Sequence, residues 1–402
     1  MWRNDFPLIR NRQEVYLDSA ATTQKPEAVI RTLTDLYESC NANVHRSPHR
    51  LGREMTELYE GARSRLSAFF GAGDDHCLIF TRGATESVNL VASSALPLLF
   101  SRDPKRQEVV VTAAEHHSNF VPWQQQCRRL GGTLKVVPVD AEGMPDMKAF
   151  SAALSGRTAL VAFAHLTNVF GRVFPAEEMA ELCHRVGAAV LVDGAQAAGH
   201  LPVSLEELGC DFYCASGHKM YGPNGIGLLF GKRELLETME PWQFGGEMVD
   251  RVYEDRTLFA EIPAKFEAGT PDYIQAAGLA AAADYLDHLG GMEAVAKRER
   301  ALTARLAEGL RERKGILLPA SPEASCGIVS FLADGLHPFD AAALLDAQGI
   351  ETRCGFHCAQ PLMRSLGLSE GTVRISLGLY NTQEDLDRLF AALDRIMGRG
   401  RS

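Results

Sequence analysis

The sequence lacks a long hydrophobic run and a cluster of like charges. No stretch of the 402 residues approaches the roughly 18 uninterrupted apolar residues of a membrane-spanning helix, so we expect no membrane partner. The net charge is −10, from 41 basic and 51 acidic residues, which argues against a nucleic-acid partner. The first residues contain no apolar segment typical of a secretory signal, so we expect a cytoplasmic protein.

The cysteines lack the pattern of a disulfide framework. The nine cysteines are odd in number and scattered, which is typical of reduced cytoplasmic thiols. Cys210 and Cys214 lie four residues apart, as do Cys354 and Cys358. Either pair could supply half of a zinc site, but the first spans a strand-like segment. We interpret both pairs as buried or free thiols and predict no metal site.

The overall composition and the alternation of patterns predict an α/β fold. Hydrophobic residues make up 46% of the chain and charged residues 23%, as in soluble globular proteins. Through the first two-thirds, runs that are apolar on both strand faces alternate with helical patterns, which favours a mainly parallel, helix-covered sheet. The clearest runs lie at residues 108–112, 158–163, 188–192 and 226–230.

From about residue 276 the pattern changes to longer helices and shorter strands. Helices are predicted at 276–289, 292–313 and 382–397, and strands at 327–331 and 372–376. A chain of this length normally forms more than one core. We therefore predict a large domain over residues 12–285 and a smaller α+β domain that consists of residues 286–402 together with residues 1–11.

A carboxylate and a lysine suggest a cofactor. Asp193 ends an apolar run, and Lys219 follows 26 residues later in a glycine-containing turn. Such a lysine can form a Schiff base with the aldehyde of pyridoxal 5'-phosphate (PLP), and the aspartate can keep the pyridine nitrogen protonated. Each residue alone is explained by a strand-end turn or a solvated loop. Together with Gln196 and His218, they favour PLP binding.

A strand–glycine–helix junction offers a place for a phosphate group. Gly83, Ala84 and Thr85 follow the apolar run 77–80 and precede a helical pattern, and the free amides at such a helix start bind phosphate. Thr85 is equally explained as a helix N-cap. A second small hydroxyl, that of Thr270, could reach the same phosphate.

Two further sites have both a functional and an ordinary interpretation. One of His116 and His117, after the strand at 109–111, could stack on the pyridine ring, or both could be half-buried loop histidines. Arg374, in an apolar strand-like run, needs a partner, which could be a substrate carboxylate or a structural salt bridge. Asn168 follows a strand and could assist Arg374.

Cys358 suggests which reaction is catalysed. It lies in a loop with Arg353 and His357, and a thiol near cationic groups can ionise and attack sulfur. Considered alone, Cys358 would be an ordinary loop cysteine.

In combination, these features resemble the group II (Suf/Csd-type) cysteine desulfurases. These are fold-type I PLP enzymes of the class V aminotransferase family, and the match extends over nearly the whole chain. The segments that carry the resemblance are residues 16–21, 43–46, 82–86, 115–117, 192–196, 216–219, 266–271 and 357–361.

The resemblance implies that L-cysteine is converted to L-alanine by a homodimer, with the sulfur carried as a persulfide on Cys358. An acceptor protein would then receive the sulfur for cofactor or iron–sulfur assembly. The implied catalytic residues are Lys219, Cys358 and His116. The implied cofactor contacts are Lys219, Asp193, Gln196, His116, Thr85, Ala84, Ser216, His218, Asn168 and, from the other subunit, Thr270. The implied substrate contacts are Arg374, Asn168, Arg353 and His45.

Two residues near Cys358 differ from the commonest family pattern or add to it. Phe356 stands where some members of the family have histidine, and Cys354 is an additional thiol near Cys358 that we interpret as inert rather than as a trap for the persulfide. The alternatives are a selenocysteine lyase, or an epimerase or aminotransferase on the same fold. A non-catalytic scaffold would usually have lost Lys219 or Asp193. The sequence does not identify the sulfur acceptor or the preference between L-cysteine and L-selenocysteine.

Overall fold

The computed structural model describes residues 2–399. The strands are β1 (Val15–Tyr16), β2 (His76–Thr81), β3 (Glu108–Thr112), β4 (Thr133–Val137), β5 (Thr158–Ala164), β6 (Ala189–Asp193), β7 (Phe212–Ser216), β8 (Gly227–Lys232), β9 (Val249–Val252), β10 (Thr257–Phe259), β11 (Ile316–Leu317), β12 (Ile328–Ala333), β13 (Ile350–Glu351), β14 (Arg353–Gly355) and β15 (Thr372–Ser376). The helices are α1 (Pro7–Arg10), α2 (Glu27–Ser39), α3 (Arg50–Phe69), α4 (Ala84–Arg102), α5 (Val121–Leu130), α6 (Met147–Ala153), α7 (Ala176–Arg185), α8 (Leu205–Leu208), α9 (Arg233–Thr238), α10 (Tyr273–His288), α11 (Gly291–Arg311), α12 (Pro338–Asp346), α13 (Gln360–Ser365) and α14 (Gln383–Arg399).

Seven strands form one large sheet in the order β2-β8-β7-β6-β5-β3-β4. The five strands from β7 to β4 are parallel, whereas β8 runs antiparallel to both of its neighbours. A parallel connection needs a crossover of about a dozen residues or more. Only ten residues separate Ser216 from Gly227, so the chain turns back and β8 pairs antiparallel to β7.

Both faces of this sheet are covered. Val109 and Val111 of β3 pack in a core cluster with residues of α4 and α5, whereas Val110 between them packs in a second cluster with residues of α3, α7 and α10. Successive strand side chains point to opposite faces, so an apolar residue at every position fits a sheet buried on both sides. The predicted α/β fold with a mainly parallel, helix-covered sheet is confirmed.

The C-terminal part contains a smaller antiparallel sheet in the order β11-β12-β15-β14. Its core is shared with α11, α12 and α14, which gives the α+β arrangement expected there. β1 pairs with β13, and Val15 and Leu17 pack in the same core, so a segment close to the N-terminus also joins this part. The domain limits at residues 11, 12, 285 and 286 stay a prediction.

The helices of the described chain bury apolar side chains and expose charged ones. The longest, α11, has 21 residues, with Val295, Leu302 and Leu306 buried and Glu293 and Lys297 exposed. Within residues 2–399, no helix combines the length and the apolar character that crossing a membrane requires.

Candidate active site

A cavity of about 230 Å³ lies where the carboxyl ends of β3, β5, β6 and β7 meet. Ligands of open α/β sheets bind at this edge, because several strands deliver side chains to one place. The cavity is lined by Ala20, Ala21, Ala84, Thr85, Ala114, His116, Ser118, Ala164, Leu166, Asn168, Asp193, Ala195, Gln196, Ser216, His218, Lys219, Arg353, His357, Cys358 and Arg374.

Asp193 is the last residue of β6 and is buried, with 6% of its surface exposed. Its Oδ1 accepts a hydrogen bond from the backbone N–H of Ala195 at 2.9 Å and one from the Cys214 thiol at 3.8 Å. Burial raises the pKa of this carboxyl, and the nearby Lys219 opposes that rise. A cationic group in the cavity therefore stabilises the charged form of Asp193.

Lys219 ends a short 3-10 turn, Gly217–Lys219, that follows β7 directly. Burial lowers the pKa of its amine to about 8, and the positive charges of Arg374 and Arg353 act in the same direction. Asp193 and Cys358 act in the opposite direction. A lysine with this pKa is partly neutral at mildly alkaline pH, which a nucleophile or a base requires.

The start of α4 forms a cradle of backbone groups. The N-cap of α4 is Gly83, and the amide of Ala84 donates to the Ser216 hydroxyl at 2.9 Å. Thr85 lies in the first turn rather than at the N-cap, and its hydroxyl pairs with that of Ser118 at 2.7 Å. A 19-residue helix places a partial positive charge at this end, so the cradle suits an anionic group.

A glycine on β8 allows this cradle to form. A side chain at Gly227 would place its Cβ 2.3 Å from the Cα of Gly83, which is closer than any real contact. The close approach of β8 to the turn before α4 therefore requires glycine at this position.

His116 follows β3 and is held as a neutral ring. Its Nδ1 accepts a hydrogen bond from the backbone N–H of Ser118 at 3.1 Å, so the proton of the neutral ring lies on Nε2. Burial, with Lys219 and other cations nearby, lowers the pKa of His116 to about 3. The ring stays uncharged at neutral pH and is available for stacking.

The segment that carries His116 is anchored by Glu115. This fully buried carboxyl accepts hydrogen bonds from Thr112 Oγ1 at 2.6 Å, Asn119 Nδ2 at 2.7 Å and the backbone N–H of Ala164 at 3.2 Å. Glu115 thus ties the ends of β3 and β5 together beneath the cavity.

Several cavity-lining side chains have polar atoms without a partner in the described chain. Gln196 donates from Nε2 to the carbonyl of Ala20 at 2.9 Å, and its Oε1 is buried without a hydrogen bond. Asn168 donates to the carbonyl of His357 at 2.6 Å, and its Oδ1 is likewise unpartnered. Buried polar groups normally have partners, so these atoms indicate a site that a polar ligand completes.

Arg374 and Arg353 face each other across β15 and β14. Arg374 Nη2 lies 3.0 Å from Asp18 Oδ1, and Arg353 Nη1 lies 3.7 Å from Asp18 Oδ2. Arg374 also donates from Nη1 to the carbonyl of Asn168 at 2.9 Å, while its Nε has no partner in the described chain. The salt bridge considered as an alternative is present, and Arg374 lines the cavity as well.

Cys358 lies in the short loop between β14 and α13 and is exposed. Its carbonyl accepts a hydrogen bond from the amide of His117 at 2.7 Å, and the neighbouring His357 pairs through Nε2 with Thr372 Oγ1 at 3.0 Å. Cys358 and His357 both have positive φ, 56° and 50°. The loop is thus held on both sides, with the thiol facing the cavity and solvent.

The two cysteine pairs noted in the sequence lie in different surroundings. Cys210 and Cys214 are both fully buried. Cys354 packs against the core of the small sheet, whereas its neighbour Arg353 lines the cavity. Across residues 2–399, no group of three or more histidine, cysteine, aspartate or glutamate side chains is arranged to hold a metal ion.

Two predicted site residues lie outside the cavity. His45 Nε2 pairs with Glu60 Oε1 at 3.0 Å. Thr270 lines a separate cavity of about 580 Å³, together with Tyr37 and Tyr59. The assignment of Thr270 to the site of a second subunit stays a prediction.

Sequence reasoning missed several residues that line or support the cavity. Ser118 could have been found from its position two residues after His116, and Ala20 and Ala21 from the segment at 16–21 that carries the resemblance. Asp18 belongs to the same segment, but its pairing with Arg374 depends on the tertiary fold alone.

A mainly parallel sheet with a buried aspartate and a half-buried lysine at its carboxyl edge defines the class of protein. The Aminotransferase class-V family profile matches residues 15–389, and the chain belongs to this family. Membership implies PLP as the cofactor.

Within this family, the chain is similar over its length to cysteine desulfurases. It is 45% identical over 383 residues to a probable cysteine desulfurase of Halalkalibacterium halodurans, covering 95% of this chain and 92% of that one. The cysteine desulfurase CsdA (S-sulfonic acid) of Escherichia coli matches with a TM-score of 0.90 at 38% identity, covering 99% of this chain and 98% of that one. The apo cysteine desulfurase of Thermococcus onnurineus NA1 matches with a TM-score of 0.93 at 35% identity and the same coverage. These similarities confirm the predicted family and enzyme class.

Proposed function

We propose that the chain converts L-cysteine to L-alanine with PLP and carries the released sulfur as a persulfide on Cys358. One observation carries the proposal: buried Asp193, half-buried Lys219 and exposed Cys358 line the same cavity. A PLP enzyme without sulfur chemistry needs the first two residues and has no need of the third. The similarity to cysteine desulfurases supports the same conclusion.

The cavity fits PLP in its charges and donors. When bound, PLP supplies an aldehyde for a lysine amine and a ring that accepts electrons. We assign Lys219 to the aldehyde, Asp193 to the ring nitrogen, Gln196 and Asn168 to ring substituents, and His116 to the ring face. The amide oxygens of Gln196 and Asn168 have no partner in the part of the chain that the structure describes, and this spare hydrogen-bonding capacity supports the assignment.

The phosphate would lie in the cradle before α4. We assign it to Ala84, Thr85, Ser216 and His218, all of which line the cavity. Burial and the Lys219 cation lower the pKa of His218 to about 4, so this histidine acts as a neutral donor at neutral pH. Thr270 would reach the phosphate from a second subunit.

Substrate binding would depend on the paired arginines. Arg374, whose Nε has no partner among residues 2–399 and whose guanidinium is oriented by Asp18 and Asn168, suits the carboxylate of L-cysteine. Arg353, about half exposed, adds positive charge at the cavity mouth. His45 lies outside the cavity of its own chain, so we propose that it contacts the substrate only in an assembly of two subunits.

Lys219 can accept the proton from the substrate Cα because burial lowers the pKa of its amine into the working range. Sulfur transfer follows from the position of Cys358. Its thiolate attacks the sulfur of L-cysteine, an S–S bond forms and the Cβ–S bond breaks. The electron pair of the broken bond remains on the carbon fragment, which takes up protons and leaves as L-alanine. The persulfide is then accessible to an acceptor thiol, because Cys358 is exposed.

We propose a homodimer, a cytoplasmic location and the two-domain division given above. The dimer is supported by large exposed apolar side chains around β9 and β10, namely Phe244, Val252 and Leu258. Phe244 alone has 71% of its surface exposed, and such patches usually mark interfaces. Light scattering of the purified protein tests the dimer.

The experiment that tests the function measures L-alanine and sulfide released from L-cysteine with a reductant. Wild type is compared with Cys358→Ala and Lys219→Ala, with L-selenocysteine as a second substrate. We expect both variants to lose sulfide release from L-cysteine, while Cys358→Ala keeps the visible absorbance of bound PLP. Sulfide release by Cys358→Ala at the wild-type rate would exclude the persulfide role.

A further inference from the structure

The peptide unit that precedes Lys219 is held by a distant segment of the chain, residues 22–25. The carbonyl oxygen of His218 accepts hydrogen bonds from the amide of Thr23 at 2.9 Å and from three side-chain donors at 3.1 Å each. Those donors are Thr22 Oγ1, Thr23 Oγ1 and Lys25 Nζ. A cluster of donors on one carbonyl of a short turn fixes the direction of that carbonyl.

This direction matters because a peptide unit is planar. The carbonyl of His218 and the nitrogen of Lys219 belong to the same plane, so fixing one fixes the other. On the other side of Lys219, its own carbonyl oxygen packs closely against Gly199: a Cβ added to Gly199 would lie 2.3 Å from this oxygen. The Cα of Lys219 is thus held from both sides, and its side chain is directed into the cavity.

Lys25 is the one charged donor in this cluster. Among residues 2–399, its ammonium contacts only uncharged oxygens, namely the carbonyl of Thr23 at 2.5 Å, that of His218 at 3.1 Å and Thr22 Oγ1 at 3.5 Å. Burial lowers the pKa of Lys25 to about 8, and no carboxylate of residues 2–399 forms an ion pair with it. A charged donor binds a carbonyl about twice as strongly as a neutral one.

We propose that Lys25 is a positioning residue, which acts through the carbonyl of His218 to fix the direction in which Lys219 enters the cavity. This inference rests on the proposed role of Lys219 as the PLP-attaching amine. Lys25 itself does not line the cavity, so it acts on the cofactor only through the turn.

The test uses the full-length apo form of Lys25→Met, which keeps the length of the side chain and removes the charge and the donors. Attachment of added PLP to Lys219 is followed by visible absorbance and by borohydride reduction with peptide mapping. We expect attachment to be slower by about tenfold, the effect of one charge-assisted hydrogen bond. Lys25→Arg, which keeps the charge, should restore part of the rate.

Lys135→Met is the control for a lysine that also binds a distant carbonyl, although Lys135, unlike Lys25, forms an ion pair with Glu108 at 2.6 Å as well. Lys135 also donates to a backbone carbonyl of another segment, that of Ala153 at 3.0 Å, but lies outside the cavity. We expect this variant to attach PLP at the wild-type rate even if its thermal midpoint falls as far as that of Lys25→Met. A wild-type rate in Lys25→Met, or an equal loss in Lys135→Met, would overturn the inference.

Thr22→Val provides a second variant in case Lys25→Met does not fold. It removes one neutral donor to the same carbonyl and should slow attachment by a smaller factor. An unchanged rate in Thr22→Val would then count against the positioning role of the cluster. If wild-type protein fails to attach PLP at Lys219, the proposed function itself is wrong, and that outcome is distinct from an effect confined to the variants.

Discussion

Arg374 Nη2 lies 3.0 Å from Asp18 Oδ1, although 356 residues separate them in the chain. The contact forms because the segment after β1 pairs with the end of β15, through a bridge between Asp18 and Ser376. Asp18 also lies 3.7 Å from Arg353, so one carboxylate balances two arginines on adjacent strands. The contact with Asp18 orients the Arg374 guanidinium, and the Nε of Arg374 has no partner in the described chain.

This geometry predicts that charge alone does not suffice at position 374. Arg374→Lys keeps the positive charge but cannot contact Asp18, the Asn168 carbonyl and a substrate carboxylate together. We expect KM for L-cysteine to rise by about tenfold to a hundredfold, the effect of one or more charge-assisted hydrogen bonds, with a smaller change in kcat. Steady-state kinetics of alanine formation provide the measurement.

Arg353→Lys is the control for this prediction. Arg353 lies on the neighbouring strand, shares Asp18 and has 48% of its side chain exposed, so the same change should have a smaller effect on KM. Equal effects of the two substitutions would indicate a general electrostatic contribution rather than a specific contact with the carboxylate.

The pKa of Lys219 predicts how PLP attachment depends on pH. Burial lowers this pKa to about 8, and only the neutral amine attacks an aldehyde. The attachment rate of the apo protein should therefore rise between pH 7 and 9 and level off above the pKa. His116, whose pKa is lowered to about 3, is neutral throughout and should add no further step between pH 5 and 9.

Stopped-flow absorbance with added PLP measures this profile. A rate that continues to rise towards pH 10.5, the ordinary pKa of lysine, would show that the cavity does not lower the pKa of the Lys219 amine. Lys219→Ala provides the baseline, since it removes the amine and leaves the cavity walls in place.

Much of the candidate site could be predicted from the sequence, because the side chains concerned follow strand ends. Asp193, Ser216 and Asn168 come at or shortly after the ends of β6, β7 and β5. In a parallel sheet these ends meet at one edge, so position in the sequence suffices to bring such residues together. The antiparallel direction of β8 follows from the sequence as well, because the connection before β8 is too short for a parallel crossover.

The remainder depends on contacts that no local pattern encodes. Asp18 and Lys25 precede the first strand of the large sheet, and they meet Arg374 and the turn before Lys219 only after the chain has folded. His45 is implied by the resemblance alone and Thr270 also by its small hydroxyl, and both lie outside the cavity of this chain. Their proposed roles depend on a second subunit, which the pattern of one chain does not describe.

Glu115 predicts a pH-dependent contribution to stability. Burial raises the pKa of this carboxyl from 4.5 to about 8, so the folded state binds its proton more tightly than the unfolded state does. Its contribution to stability is fully present below pH 4.5 and is lost as the pH rises through 8. Glu115→Gln, which does not titrate, should lose no stability from this source.

The measurement is the difference in thermal midpoint between wild type and Glu115→Gln at several pH values. The amide has a cost of its own, because its NH₂ group cannot accept the hydrogen bond that Asn119 Nδ2 donates at 2.7 Å, but this cost is independent of pH. We expect the advantage of wild type to shrink from pH 5 to pH 8. An advantage that grows over this range would mean that the three donors keep Glu115 ionised in the folded protein.

Cys354 and Cys358 are predicted to differ in reactivity despite their closeness in sequence. On β14, successive side chains alternate, so Arg353 lines the cavity while Cys354 packs against the core of the small sheet. Burial also raises the pKa of the Cys354 thiol, whereas Cys358 is exposed on its loop. Only Cys358 should therefore receive sulfur from L-cysteine.

Mass spectrometry after brief exposure to L-cysteine tests this prediction, with iodoacetamide added to trap thiols and persulfides. We expect one additional sulfur on the peptide in Cys354→Ser, located at residue 358, and none in Cys358→Ser. A Cys354–Cys358 disulfide in wild type, formed as sulfide is released, would show that Cys354 does resolve the persulfide. That result would require β14 to twist its second side chain out of the core, because the thiol of Cys354 otherwise faces away from the loop.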